Sequence, residues 1–176
     1  MAKIAFEQLR FVVVDGNAHK RRIVRTLLRA FGCREIYEAE DGASGLEAVE
    51  AYSPDILITD IMMPNIDGIE LTRMIRVPDS SKLPFLPVIV LTACSEKKHV
   101  LAARDAGATE FLCKPVSATS LYRRVQNVVE NPRQFVRTRT YFSPDRRRKA
   151  EPRPDEAERR VEVRGREVVD YTQAAT

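Results

Sequence analysis

Three observations predict an α/β fold, a doubly wound five-stranded parallel sheet with flanking helices. Five short apolar runs alternate with helical patterns over the first 130 residues. The runs are rich in β-branched residues and lack strict apolar–polar alternation, which suits strands covered on both faces. Five such units fit one compact domain rather than two, since domains mostly run to about 100 to 150 residues.

The expected strands are Phe11 to Val14, Ile36 to Ala39, Ile56 to Thr59, Val88 to Thr92 and Glu110 to Cys113. The first helix is the clearest, with Ile23, Val24, Leu27, Leu28 and Phe31 on one face, arginines elsewhere, and Gly32 as its stop. The last helix starts after Ser117, an N-cap residue type, and carries Leu121, Val125, Val128 and Val129 before Asn131-Pro132 ends it. The helices between are expected at about Ala43 to Ala51, Ile69 to Arg76 and Glu96 to Ala106. The extra residues of VPDSSKLPFLP, before the fourth strand, read as a lengthened loop without assignable chemistry.

Charge divides the chain. Residues 1–130 balance 17 Lys and Arg against 17 Asp and Glu, which leaves 12 and 8 of the totals of 29 and 25, and hence the whole net charge of +4, beyond residue 130. The basic character therefore belongs to the C-terminal segment and is no argument that the folded part binds nucleic acid. No apolar run approaches the roughly 18 residues of a membrane span, and the N-terminus lacks a secretory pattern, so a cytoplasmic protein without a membrane partner is expected. Cys33, Cys94 and Cys113 are scattered and odd in number, and are expected to be reduced thiols. His19 and His99 are expected on helix surfaces without metal spacing.

In a doubly wound sheet the functional crevice lies outside the carboxyl ends of the strands, at the switch point of strand order. Asp15, Asp60, Thr92 and Lys114 stand just after four of the expected strands, or at their ends. If the fold holds, they converge. Two acids, a hydroxyl and an ammonium at one point suit phosphoryl transfer onto a carboxylate: Asp60 attacks phosphorus, while Lys114 and Thr92 meet the charge spread over the transferring oxygens. Mg²⁺ would supply the remaining positive charge.

The stretches VVVDGNAHKRRIVRTLLRAFG, PDILITDIMMPNIDGIEL, VIVLTA and DAGATEFLCKPV, in that order, resemble the diagnostic blocks of the receiver domain of bacterial two-component response regulators. The first is especially similar to the opening of the chemotaxis response regulator. The resemblance implies a flavodoxin-like receiver fold over residues 8–130 with Asp60 as phosphoacceptor, Thr92 and Phe111 as switch residues, and Lys114 as the conserved lysine. It also implies a cis bond before Pro115 and metal ligation by Asp15, Asp60 and the Met62 carbonyl. The implied function is a phosphorelay switch and not an enzyme. Its expected partners are a histidine kinase or histidine phosphotransfer protein and an unidentified downstream protein, with a homodimer as a further candidate.

One position departs from the family pattern. Gly16 stands where a second acid usually touches the metal directly, which implies weaker Mg²⁺ binding and raises the alternative of a phosphorylation-independent binding module. Asn17 is a candidate substitute oxygen, although a turn residue there needs no such role. D-G-A-S-G at Asp41 to Gly45 fits no phosphate-loop pattern and reads as a helix start. Residues 131–176 are expected to form a basic, largely disordered tail without a helix-turn-helix. Phe135, Tyr141 and Phe142 interleaved with arginines make that tail a candidate anion binder, with nucleic acid the less favoured reading. Val168 and Val169 are candidates for a short strand if an edge is offered.

Overall fold

The computed structural model describes residues 4–78, 81–93, 97–138, 141–145 and 167–169. The main sheet holds β1 (Arg10–Val14), β2 (Glu35–Ala39), β3 (Ile56–Asp60), β4 (Val88–Ala93) and β5 (Glu110–Lys114), in the order β2-β1-β3-β4-β5 and all parallel. Around it lie α1 (Ala18–Ala30), α2 (Gly42–Tyr52), α3 (Gly68–Ile75), α4 (Lys97–Ala106) and α5 (Ala118–Glu130). The strand order reverses between β1 and β3, which creates the expected crevice at their carboxyl ends.

Alternation along each strand feeds two cores. Phe11 and Val13 of β1, Ile56 and Ile58 of β3, and Ile89 and Leu91 of β4 pack with Val24 and Leu28 of α1 and Leu121 and Val125 of α5. Val12 and Val14, Leu57, and Val88 and Val90 point the other way, against Val49, Leu71, Ile75 and Ala103 of the remaining three helices. A strand buried on both faces needs apolar residues at every position, and this is why these segments read as continuous runs. Ile23 and Val129, assigned to core faces by helical spacing, are each 40% exposed. Helix α1 stops as expected: Gly32 takes φ +101, and its N–H donates to the Arg29 carbonyl. Among the described residues no helix is long and apolar enough to cross a membrane.

The segment after residue 130, expected to be a largely disordered tail, has strands among its described residues. It contains β6 (Phe135–Thr138), β7 (Tyr141–Pro144) and β8 (Glu167–Val169), an antiparallel sheet in the order β7-β6-β8. In the β6–β8 pair Arg137 is in register with Glu167, Val136 with Val168 and Phe135 with Val169. Val168 and Val169 thus find the edge they needed. The lengthened loop before β4 explains the arrangement. Its Phe85 packs against Phe135 and Phe142 with ring centroids 5.0 and 5.2 Å away, and the Arg76 guanidinium lies 5.2 Å from the Phe135 centroid. Arg76 is itself buried and donates to the carbonyls of Gly107 and Pro84.

A second tie runs through Glu110. This fully buried carboxylate accepts hydrogen bonds from Arg124 and Asn127 of α5 and from Arg133, just before β6. The extension is therefore joined to the domain by a buried ion-pair group and an aromatic cluster. Phe135 is 3% exposed, and Phe135→Ala is expected to lower stability by about 3 kcal/mol, as truncation of a buried Phe does. An unchanged midpoint in urea denaturation would contradict that packing.

Candidate functional site

Each turn at the carboxyl edge is built locally. After β1, the Asn17 N–H donates to Asp15 Oδ1 at 2.8 Å, and the Asn17 side chain accepts from the Lys20 N–H as the N-cap of α1. Arg21 reaches back, donating to the Asp15 carbonyl at 2.6 Å while its Nε lies 3.4 Å from Glu38 of β2. After β3, the Asp67 carboxylate caps α3 through the N–H groups of Ile69 and Glu70. Gly68 is pressed against β3: a Cβ there would collide with the Asp60 carbonyl oxygen and come within 3.0 Å of Thr59 Oγ1. D-G-A-S-G is the start of α2, with Asp41 and Ser44 in a reciprocal capping box that holds the Asp41 carboxyl below its ordinary pKa through the Ser44 hydroxyl and N–H.

The four residues placed by strand spacing do converge. Asp15, Asp60 and Thr92 are 2%, 3% and 2% exposed, while the Lys114 side chain is 22% exposed. The Lys114 ammonium lies 2.6 Å from Asp60 Oδ2 and 3.6 Å from Asp15 Oδ2. Thr92 sits on the adjacent strand, one residue beyond the register partner of Asp60, and its hydroxyl donates to the Ala93 carbonyl rather than to either acid. The Lys114-Pro115 bond is cis. Phe111 is half-buried against the second core, and the Met62 side chain is 71% exposed.

Charge at this edge is unbalanced. Two buried carboxylates share one ammonium, and Asp15 Oδ2 accepts no hydrogen bond among the described residues. A buried anionic oxygen left without a hydrogen bond is costly. Among the described residues no group of three or more His, Cys, Asp or Glu is placed to hold a metal. Two carboxylates suffice for Mg²⁺, which keeps several waters and commonly takes one or two protein carboxylates. Asp15 and Asp60, with one oxygen wanting a partner, therefore fit that ion. The Asn17 side chain is committed to its helix cap, so it does not replace the acid missing at position 16. Gly16 itself has room: a Cβ there meets only the Glu40 carbonyl oxygen, at 3.6 Å, and its φ lies outside the left-handed region.

The other candidates separate from the site. His19 is exposed and His99 half-buried. Cys33 is a free buried thiol whose pKa is raised by burial, as expected for a reduced cysteine. Cys113, on β5 beside Lys114, is disulfide-bonded, which corrects the expectation of a reduced thiol there. Cys94 lies outside the described residues. Arg21 was not singled out as a site-shaping residue by sequence reasoning, because its contact with the Asp15 carbonyl crosses between elements.

A parallel α/β domain with acids, a hydroxyl and a lysine gathered at its switch point defines a class of phosphoacceptor signalling domain, and the chain belongs to the response regulator receiver family, whose model matches residues 11–126. It is similar to chemotaxis protein CheY-3 of Vibrio cholerae, 32% identical over 130 residues that cover 74% of this chain and 98% of that protein. Among solved structures, Vibrio cholerae CheY4 matches with a TM-score of 0.62 and 28% identity over 68% of this chain and 98% of that one. The receiver domain of sensor histidine kinase PA1611 from Pseudomonas aeruginosa matches with a TM-score of 0.63 and 25% identity, over 70% of this chain and 98% of that one. That structure has a magnesium ion coordinated in its active-site cleft.

The close approach at Gly68 makes a direct prediction. Gly68→Ala is expected to destabilise the fold by about 1 to 3 kcal/mol, the range for overpacking, because the colliding atoms are backbone. A denaturation midpoint equal to that of the wild type would show that the loop after β3 is not held against Asp60.

Proposed function

We infer that the chain is a cytoplasmic phosphorelay switch. Asp60 takes a phosphoryl group from the phosphohistidine of a histidine kinase or phosphotransfer protein, and the signal passes on by protein–protein contact. The observation that carries this reading is the Lys114 ammonium 2.6 Å from the buried Asp60 carboxylate, at the topological switch point. In the transfer an Asp60 oxygen forms a bond to phosphorus as the phosphorus–nitrogen bond breaks, and the imidazole nitrogen keeps the electron pair. Lys114 stays beside the acceptor and meets charge on the transferring oxygens. At an effective dielectric near 20, a unit charge pair at about 4 Å is worth roughly 4 kcal/mol of gross attraction. Mg²⁺, held by Asp15, Asp60 and the Met62 carbonyl, would supply the remaining positive charge when bound.

The phosphoryl group then offers the Thr92 hydroxyl an acceptor better than the Ala93 carbonyl it now uses. Movement of Thr92 would make room for Phe111, whose half-buried ring can change its packing. In this reading the modification is stoichiometric and reports state, so the chain is a switch rather than an enzyme turning over a substrate. The alternative, a phosphorylation-independent binding module, draws on Gly16, which takes one carboxylate from the metal side.

Intact mass separates the two readings. In the presence of Mg²⁺ and a phosphorylated histidine kinase or phosphoramidate, the wild type is expected to gain one phosphate and Asp60→Asn none. No gain from either donor would favour the binding module. A second expectation concerns position 16. Because the site has room for a side chain, Gly16→Asp is expected to raise Mg²⁺ affinity about tenfold, the equivalent of roughly 1.4 kcal/mol. Equal Mg²⁺ affinity by calorimetry in a folded Gly16→Asp variant would contradict a metal side limited by the missing acid.

A further inference from the structure

Every polar group of Asp15 but one is already bonded. Its N–H donates to the Ala39 carbonyl of β2, its Oδ1 accepts from the Asn17 N–H, and its own carbonyl accepts from the Arg21 guanidinium at 2.6 Å. Oδ2, which faces Lys114, accepts no hydrogen bond among the described residues. The carbonyl that Arg21 holds belongs to the peptide unit joining Asp15 to Gly16. Glycine has the greatest backbone freedom of any residue, so this unit is where the chain turns most easily at the end of β1. Arg21 removes that freedom from the first turns of α1. It is itself fixed: its side chain is 15% exposed, its Nε lies 3.4 Å from Glu38 Oε2, and Glu38 Oε1 pairs with Arg25 at 3.0 Å. The planar guanidinium fork reaches the Asp15 carbonyl and the Glu38 carboxylate at once, and so ties the end of β1 to β2.

We propose that Arg21 is a positioning residue for the metal-side acid: by pinning the Asp15–Gly16 peptide it keeps the Asp15 carboxylate turned towards Lys114 and Asp60, and so sets the affinity of the centre for Mg²⁺ without touching the ion. The proposal rests on the reading of Asp15 and Asp60 as Mg²⁺ ligands. The sign of the effect separates it from a simple charge effect. A guanidinium near the centre repels a cation, so losing the charge alone would strengthen Mg²⁺ binding. Glu38 sits against the guanidinium and offsets that repulsion, which leaves the hold on the Asp15 carbonyl as the larger effect. Loss of Arg21 therefore weakens Mg²⁺ binding. Gly16 makes the clamp necessary, because a residue with a Cβ at that position would restrict the same peptide by itself.

The test uses the full chain, Arg21→Met, which keeps an unbranched side chain without donors, Gly16→Ala, and the two combined. Mg²⁺ affinity is read by calorimetry. In the absence of Mg²⁺, hydrogen exchange of the Asn17 amide is read by NMR, since that N–H is bonded to Asp15 Oδ1 only while the carboxylate stays in place. Arg21→Met is expected to weaken Mg²⁺ binding about tenfold, the lower end of the loss on removing an outer partner of a metal ligand, and to speed exchange at Asn17. Gly16→Ala, for which there is room, is expected to reduce that loss to about threefold by stiffening the same peptide. Unchanged or stronger Mg²⁺ binding in a folded Arg21→Met chain would overturn the proposal, and so would a loss of the same size with and without Gly16→Ala. Should Arg21→Met fail to fold, Arg21→Lys decides: it keeps the charge but not the planar fork, and a severalfold loss supports the clamp where equal affinity contradicts it. Unchanged Asn17 exchange in Arg21→Met would overturn the clamp while leaving the metal reading in place. No Mg²⁺ binding by the wild type would remove the metal reading and the proposal together.

Discussion

Everything at the functional edge turns on two buried carboxylates that share one ammonium. Asp15 and Asp60 end up beside each other because β1 and β3 are parallel neighbours that stop at the same level. Lys114 reaches both from β5, across β4. Two negative charges against one positive, with Asp15 Oδ2 accepting no hydrogen bond among the described residues, leave the centre short of positive charge. That shortage is what would draw a cation to the site. Gly16 reduces it by one acid relative to the family pattern and so makes the imbalance smaller, though it does not remove it.

The fifth strand links this centre to the far end of the molecule. Over five residues it runs from Glu110, buried and held by Arg124 and Arg133, to Lys114, held by Asp60 and Asp15. Opposite charges thus anchor the strand at its two ends. Breaking either partnership would leave a buried charge uncompensated, the costly case for ion pairs in protein interiors. Since Arg133 belongs to the segment that leads into β6, the C-terminal extension is tied to the same strand that positions the site lysine. Phe85, supplied by the long loop before β4, completes the attachment on the apolar side.

The five strands were legible from sequence within a residue or two, because strands covered on both faces must be apolar throughout, as in Val12, Val13 and Val14. Asp15, Asp60, Thr92 and Lys114 were legible for a related reason: in a parallel sheet the residues at the carboxyl ends of the strands share one edge. What could not be read depends on contacts between distant segments. β8 pairs with β6 across a separation of about 30 residues, and three short apolar positions signal a strand only once an edge exists. Phe85 had no visible purpose until Phe135 and Phe142 were placed over it. The use of the Asn17 oxygen as a helix cap, the turn of the Thr92 hydroxyl towards Ala93 and the disulfide at Cys113 likewise depend on local geometry.

The charge shortage can be observed without any turnover. In an amide NMR titration of the full chain with Mg²⁺, shifts are predicted to concentrate at Asp15 to Asn17, at Asp60 to Met63 and at Lys114, and to saturate together with one affinity. Shifts that fall instead on the exposed acids of the helices, or none up to concentrations that saturate related Mg²⁺ sites, would contradict a centre that draws a cation to Asp15 and Asp60.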